Sequence, residues 1–214
     1  MTCQIIKIFY IHKYASYVKK IISQIRSSRL IKELRKQGLL IDDTVDFVGQ
    51  PIVTLHNGSR IEIGAGVWLI SQSTSTALGV NHPCIIRTMA ENAEIVIKNN
   101  AGMSGATICC ASRIEIGERV MLGANVTITD TDFHSIDWEK RWTANDIEHA
   151  NKAPVIIEDD VFVGMNSSIL KNVRIGEKSV IGAHSVVTKN IPPYSIAVGN
   201  PARIIGNVQD YLER

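Results

Sequence analysis

Residues 153–206 read APVIIEDDVFVGMNSSILKNVRIGEKSVIGAHSVVTKNIPPYSIAVGNPARIIG. Within them Ile157, Val163, Ile169, Ile175, Ile181 and Val187 recur at an unbroken spacing of six. Two residues before each stands Val155, Val161, Ser167, Val173, Ser179 or Ser185. In a short strand residues i and i+2 share a face, so both members of each pair are predicted to point inward. Gly164, Gly176 and Gly182 directly follow the aliphatic, where a sharp corner is expected and glycine tolerates positive φ. A fixed period of six is the signature of a β-helix. Three short sides close a coil of about 18 residues, and coils stack at about 4.8 Å through strand-type hydrogen bonds.

The same phase extends backwards. Ile116, Leu122 and Ile128 follow Ile114, Val120 and Val126 at the same offset. Ile97, Met103 and Cys109 form an earlier run, one residue out of phase with the next, and Ile63 and Leu69, preceded by Ile61 and Val67, another. An interior of stacked aliphatics explains why only 6% of the 214 residues are aromatic. Between Ile128 and Ile157 lie 29 residues, which is not a multiple of six, so a loop over 130–153 is predicted to leave the coil. It carries Asp130, Asp132, His134, Trp138, Arg141, Trp142 and His149. A polar, aromatic-bearing loop on a regular scaffold is where function is expected. Residues 75–94 also break phase and read as an irregular coil.

Composition narrows the class. A hydrophobic fraction of 45% excludes wholesale disorder. No uncharged apolar stretch approaches the roughly 20 residues that span a bilayer, and Lys7, His12 and Lys13 interrupt any signal-peptide pattern. Four cysteines, two of them adjacent at Cys109 and Cys110, make no disulfide framework and suggest a reducing, cytoplasmic compartment. The net charge of +2 hides an asymmetry: residues 1–40 hold nine Lys or Arg against the single acid Glu33, and the remainder is net acidic. In this block Ile8, Ile11, Ala15, Val18, Ile22 and Ile25 recur at helical steps between Lys13, Lys19, Lys20 and Arg26, and Leu30, Ile31 and Leu34 continue the pattern to Gly38. The chain thus divides into a basic amphipathic helical extension (1–40), a β-helix (41–206) and a tail (207–214). The extension is expected to cap the open coil or to contact a membrane surface peripherally. No nucleic-acid module is recognised.

The segments IEIGERVMLGANVTITDTDFHSID (114–137) and 153–206 resemble the hexapeptide-repeat acyltransferases, in particular the sugar O-acetyltransferases of the maltose, galactoside, colanic acid and O-antigen types. The resemblance implies a left-handed parallel β-helix, a homotrimer with sites between subunits, acetyl-CoA as donor and a carbohydrate acceptor, as in surface-polysaccharide synthesis. His134 in DTDFH matches the family's catalytic histidine. Ala183, Thr188 and Lys189 in GAHSVVTK and Arg203 in GNPAR match positions that contact CoA. Phe162 stands where the family often has Trp, which weakens stacking on the cofactor. Met103 and Ser104 stand where galactoside-type enzymes carry an active-site Asn, so Ser104 is the candidate polar group there. The maltose-type leading domain is replaced by the basic block, which argues against a small free sugar.

The chemistry suits these residue types. Acetyl transfer to a hydroxyl needs a base for the alcohol proton, and a neutral His serves. Asp132 or Asp130 is expected to hold its other ring nitrogen, and Trp138 and Trp142 to stack on a sugar or to pin the loop. A metal reading of Asp130, Asp132 and His134 is disfavoured, because hexapeptide-repeat carbonic anhydrases need further histidines where this wall reads GAN. The alternatives are an acetyltransferase for another acceptor (a nucleotide amino sugar, serine or an antibiotic) and a non-catalytic scaffold.

Overall fold

The computed structural model describes residues 24–213, so the residues of the helical pattern before 24 lie outside it. Helical backbone over 24–36 forms α1. The coils follow in threes: β1 (Leu40–Ile41), β2 (Asp46–Val48) and β3 (Ile52–Thr54); β4 (Arg60–Ile63), β5 (Trp68–Ile70) and β6 (Ile85–Thr88); β7 (Glu94–Ile97), β8 (Gly102–Ser104) and β9 (Thr107–Cys110). Next come β10 (Arg113–Ile116), β11 (Met121–Leu122) and β12 (Thr127–Thr129), then β13 (Val155–Ile157), β14 (Phe162–Val163) and β15 (Ser168–Ile169). The last are β16 (Arg174–Ile175), β17 (Val180–Ile181) and β18 (Val186–Val187), then β19 (Ser195–Val198), β20 (Arg203–Asn207) and α2 (Gln209–Leu212). Every third strand pairs in parallel, giving a first wall β1-β4-β7-β10-β13-β16, a second that begins β2-β5-β8-β11, and a third of β3, β6, β9, β12, β15 and β18. The fold is a left-handed parallel β-helix, and β20 turns back antiparallel on β19 at its far end.

Register turns the six-residue period into ladders. Ile41, Ile63, Ile97, Ile116, Ile157 and Ile175 stack along the first wall. Phe47, Leu69, Met103, Leu122, Val163, Ile181 and Ala197 stack along the second. All are buried, each aliphatic contributing about 1.5–3 kcal/mol by leaving water. The buried serines fit because each hydroxyl donates to a main-chain carbonyl: Ser167 and Ser185 to Gly182 (2.9 and 2.7 Å), and Ser179 to Pro192 (2.8 Å).

Three details differ from the sequence reading. Cys109 faces outward: Ile108 and Cys110 are the inward pair, because the corner at Gly105 is one residue short. The irregular stretch covers 71–84, and β6 and β7 are regular strands. The glycines after the aliphatics do not carry positive φ; at the corners Asn125, Asp160, Asn166, Lys178 and His184 do, at 55–59°. Gly123 is needed for close approach instead. A Cβ there would lie 2.7 Å from Met165 N and 3.0 Å from Val163 O of the next coil. Gly123→Ala is therefore expected to lower unfolding free energy by about 1–3 kcal/mol in urea titration, since the coil backbone cannot yield as a flexible side chain would.

Helix α1 closes the first coil. Ser27, Leu30, Ile31 and Leu34 are buried on one face, and the three aliphatics join Leu39, Ile41, Val45 and Phe47 in the core. The Ser27 hydroxyl donates to Asp46 (3.0 Å) and accepts the Phe47 N–H (2.9 Å), fixing the helix on β2.

Candidate active site

The long loop leaves the corner between the third and first walls, after β12, and returns before β13. Its neck is closed by an antiparallel bridge between Thr131 and Lys152, by Asp132 N–H on Asn151 O (3.0 Å) and by Ala153 N–H on Asp130 O (2.9 Å). The neck aims His134 outward: Phe133 takes φ 64° and its N–H donates to Thr131 Oγ1 (3.1 Å).

The carboxylate on His134 is Asp146, rather than Asp132 or Asp130. His134 Nδ1 lies 2.6 Å from Asp146 Oδ2, and the Ser135 N–H donates to the other oxygen at 2.7 Å. The Asp146 side chain is 12% exposed, and its carboxyl is held below the ordinary range, first by the imidazole hydrogen bond and then by the Ser135 N–H. An ionised carboxylate accepts only, so Nδ1 carries the proton, and in the neutral imidazole Nε2 presents its lone pair.

The expected partners are used elsewhere, for physical reasons. Asp132 takes the Lys171 ammonium at 2.6 Å and ties the loop to the next coil. Asp130 is fully buried and accepts the N–H groups of Ala111 (2.6 Å) and Ser112 (2.7 Å) at the turn below. Cys110 also donates to Asp130 (3.3 Å), and burial, then that negative charge, pushes its thiol up to about 12. The thiol therefore stays protonated at neutral pH.

Arg141 braces the loop by donating to Ser135 O (2.9 Å) and Ile136 O (3.0 Å). Beside it opens a cavity of about 450 Å³ lined by His134, Arg141, Trp142, Thr143, Ala144, Asp146 and Ile147. Trp142 is 93% exposed and Trp138 73%, so neither pins the loop to the scaffold. Trp142 forms part of the cavity wall, and Trp138 does not. Asp146 and Arg141 carried no positional signal in the sequence: their roles depend on how an irregular loop folds back on itself.

The other candidates divide among separate places. Thr188 and Lys189 are exposed at the corner from which, two coils earlier, the loop departs. Ala183 and Ser104 lie instead along the edge between the second and third walls. At Ala183 the coil-to-coil ladder skips a donor: Gly182 and His184 give their N–H groups to Ala197 and Met165 (both 2.9 Å), and among the described residues no acceptor takes the Ala183 N–H. Phe162 is 44% exposed on the outside of the second wall, in register with Met121 and Val180. Arg203 is exposed on β20, its guanidinium donating to Ala202 O (2.9 Å). One chain thus does not bring His134 and Ala183 together.

The family described as bacterial transferase hexapeptide (six repeats) matches residues 154–189, and the hexapeptide repeat of succinyl-transferase matches 100–130. Both stretches carry the hexapeptide repeat, and the chain shares it with the hexapeptide-repeat acyltransferases. Among curated relatives, the chain is 37% identical over 97 residues to galactoside O-acetyltransferase of Escherichia coli, covering 45% of each chain. It is 45% identical over 64 residues to 2,3,4,5-tetrahydropyridine-2,6-dicarboxylate N-acetyltransferase of Clostridium perfringens, covering 30% of this chain and 27% of that one. The chain spans less than half the length of these relatives. Among solved structures, AntD, an N-acyltransferase from Bacillus cereus in complex with dTDP and 3-hydroxybutyryl-CoA, superposes with a TM-score of 0.63 at 19% identity, over 85% of this chain and 90% of that one. At that identity the likeness shows the shared fold.

Proposed function

We propose that this chain is an acetyl-CoA-dependent O-acetyltransferase acting on a sugar hydroxyl, in the synthesis of a surface polysaccharide. The observation that carries the reading is His134: a buried carboxylate holds Nδ1, and Nε2 is left open beside a cavity walled by Trp142. A hydroxyl must lose its proton as it attacks, whereas a free amine carries its own lone pair and needs less help. The relative named galactoside O-acetyltransferase supports the same acceptor chemistry.

In the proposed reaction the acceptor oxygen attacks the thioester carbonyl carbon while its proton passes to Nε2. The tetrahedral oxyanion then collapses, the carbon–sulfur bond breaks and the imidazolium returns the proton to the departing thiolate. The products are an acetyl ester and CoA. Asp146 stays ionised and stabilises the transient imidazolium. The Ala183 N–H is a ready donor for pantetheine or the oxyanion, Lys189 and Arg203 offer cations to phosphates, and Phe162 offers an apolar face. Because His134 and Ala183 lie on different edges of one chain, the reading requires a second copy, and a homotrimer supplies it. Ser104, on the Ala183 edge, and Trp138 and Trp142, on the loop, would then meet the acceptor from opposite sides.

A second reading, N-acetylation of a nucleotide-linked amino sugar, is favoured by the ligands of the Bacillus cereus enzyme, one of whose complexes holds dTDP-4-amino-4,6-dideoxyglucose with coenzyme A. Thiol release from acetyl-CoA tests the choice, with neutral oligosaccharides, nucleotide amino sugars, serine and aminoglycosides as acceptors. Turnover is expected with a neutral saccharide. Turnover confined to amines would replace the proposal with the second reading, and CoA binding without turnover would favour a scaffold.

A further inference from the structure

Helix α1 has an outer face that the coil does not use. Ile25, Arg29, Lys32 and Lys36 lie diametrically opposite the buried Ser27, Leu30, Ile31 and Leu34. Arg26 flanks this stripe, and Glu33 is the single acid on the helix. Several cations on the coil surface are paired: Lys98 with Glu115 (2.6 Å), Arg174 with Glu158 (2.6 Å) and Arg119 with Asp160 (2.6 Å). On α1 only Arg35 is paired, with Asp43 (2.8 Å); among the described residues Arg26, Arg29, Lys32 and Lys36 meet no carboxylate. Residues 1–23 contain no Asp or Glu that could neutralise them, and add Lys7, Lys13, Lys19 and Lys20. The same segment holds Phe9, Tyr10, Tyr14 and Tyr17, residue types favoured at a membrane–water interface. Ile25, half exposed at the head of the stripe, adds an apolar contact among the cations.

We infer that the outer face of α1, with the basic sequence leading into it, is a docking surface for an anionic phospholipid bilayer. The occupant follows from the chemistry. A stripe of unpaired cations with an interspersed aliphatic, preceded in sequence by aromatics, matches a surface of negative headgroups over hydrocarbon. Nucleic acid would be met by the same charge, but nothing on the helix orders bases. The rest of the chain is net acidic and is repelled by such a surface, so the protein docks end-on, the coil axis pointing away from the lipid. This inference is independent of the acetyl-transfer reading.

Co-sedimentation of the full chain with phosphatidylcholine vesicles, and with mixed phosphatidylglycerol–phosphatidylcholine vesicles, tests it. Binding is expected only to the mixed vesicles and to weaken as salt rises. The double variant Arg29→Gln/Lys32→Gln is expected to partition about tenfold or more less strongly, from the usual attraction per cation near an anionic surface. Lys98→Gln/Arg174→Gln removes the same net charge from the coil surface and is expected to leave binding unchanged. All four side chains are exposed, and an unchanged circular dichroism spectrum verifies folding. Full binding by the α1 double variant, equal binding to both vesicle types, equal loss in the coil-surface variant, or tighter binding to single-stranded RNA than to the mixed vesicles would each overturn the inference.

Discussion

Replacing His134 with alanine is expected to lower kcat for acetyl transfer by about 10²–10⁴-fold, the usual contribution of a positioned general base. The affinity for acetyl-CoA should be unchanged, because the proposed donor contacts are made by Ala183, Phe162, Lys189 and Arg203 and not by the imidazole. The fold should be intact, since the His134 side chain is 66% exposed and packs on nothing in the core. Steady-state kinetics on the true acceptor, with acetyl-CoA binding measured by calorimetry, separates the two quantities. Full activity in His134→Ala would remove His134 from the mechanism, and lost CoA binding would assign it to the donor site instead.

The second large effect is expected at Asp146. An asparagine there can donate its amide N–H to Nδ1, which moves the imidazole proton to Nε2 and removes the lone pair that must accept the hydroxyl proton. Asp146→Asn is expected to cost roughly 10²–10⁴-fold in kcat with little change in KM for acetyl-CoA. Asp132→Asn is expected to cost far less, because the bridge between Thr131 and Lys152 still closes the neck after the Lys171 contact weakens. Equal losses from the two substitutions would mean that loop anchoring, rather than the tautomer of His134, sets the rate. The depressed carboxyl of Asp146 also fixes a pH dependence. A group whose folded value lies below its unfolded value of about 3.9 stabilises the fold above that pH and loses the contribution as pH falls through the folded value. The His134–Asp146 contact within the loop is thus expected to persist at mildly acidic pH and to release only below the ordinary Asp range. Trp138 and Trp142 fluorescence reads that release, and Asp146→Asn should lack the step.

Much of the fold was legible because a β-helix repeats one local rule. The run from Ile157 to Val187 specified strand, inward face and stacking at once, and each pair from Val155 to Ser185 is buried as the spacing required. The legibility failed where the repeat was broken. One missing residue at the Gly105 corner turned Cys109 outward; counting by sixes showed the run through Ile97, Met103 and Cys109 to be one residue out of phase with the next, but not which corner held the slip. The glycines were read as turn formers when the stacking distance demanded them, because a single coil in sequence does not show its neighbour. His134 stood out by its motif and by the loop that breaks the period. Its partner did not: Asp146 lies 12 residues away in a segment without periodicity, and only the folded loop brings the two within 2.6 Å. The separation of His134 from Ala183 was equally invisible, since it depends on which edge of a triangular coil each corner occupies.

The most direct test of the central claim is the bond formed when labelled acetyl-CoA is incubated with the wild-type chain and its saccharide acceptor, alongside His134→Ala. An acetyl ester on a sugar hydroxyl, released by mild alkali and absent with His134→Ala, is the result predicted. An alkali-stable amide, or an ester formed equally by both proteins, would contradict it.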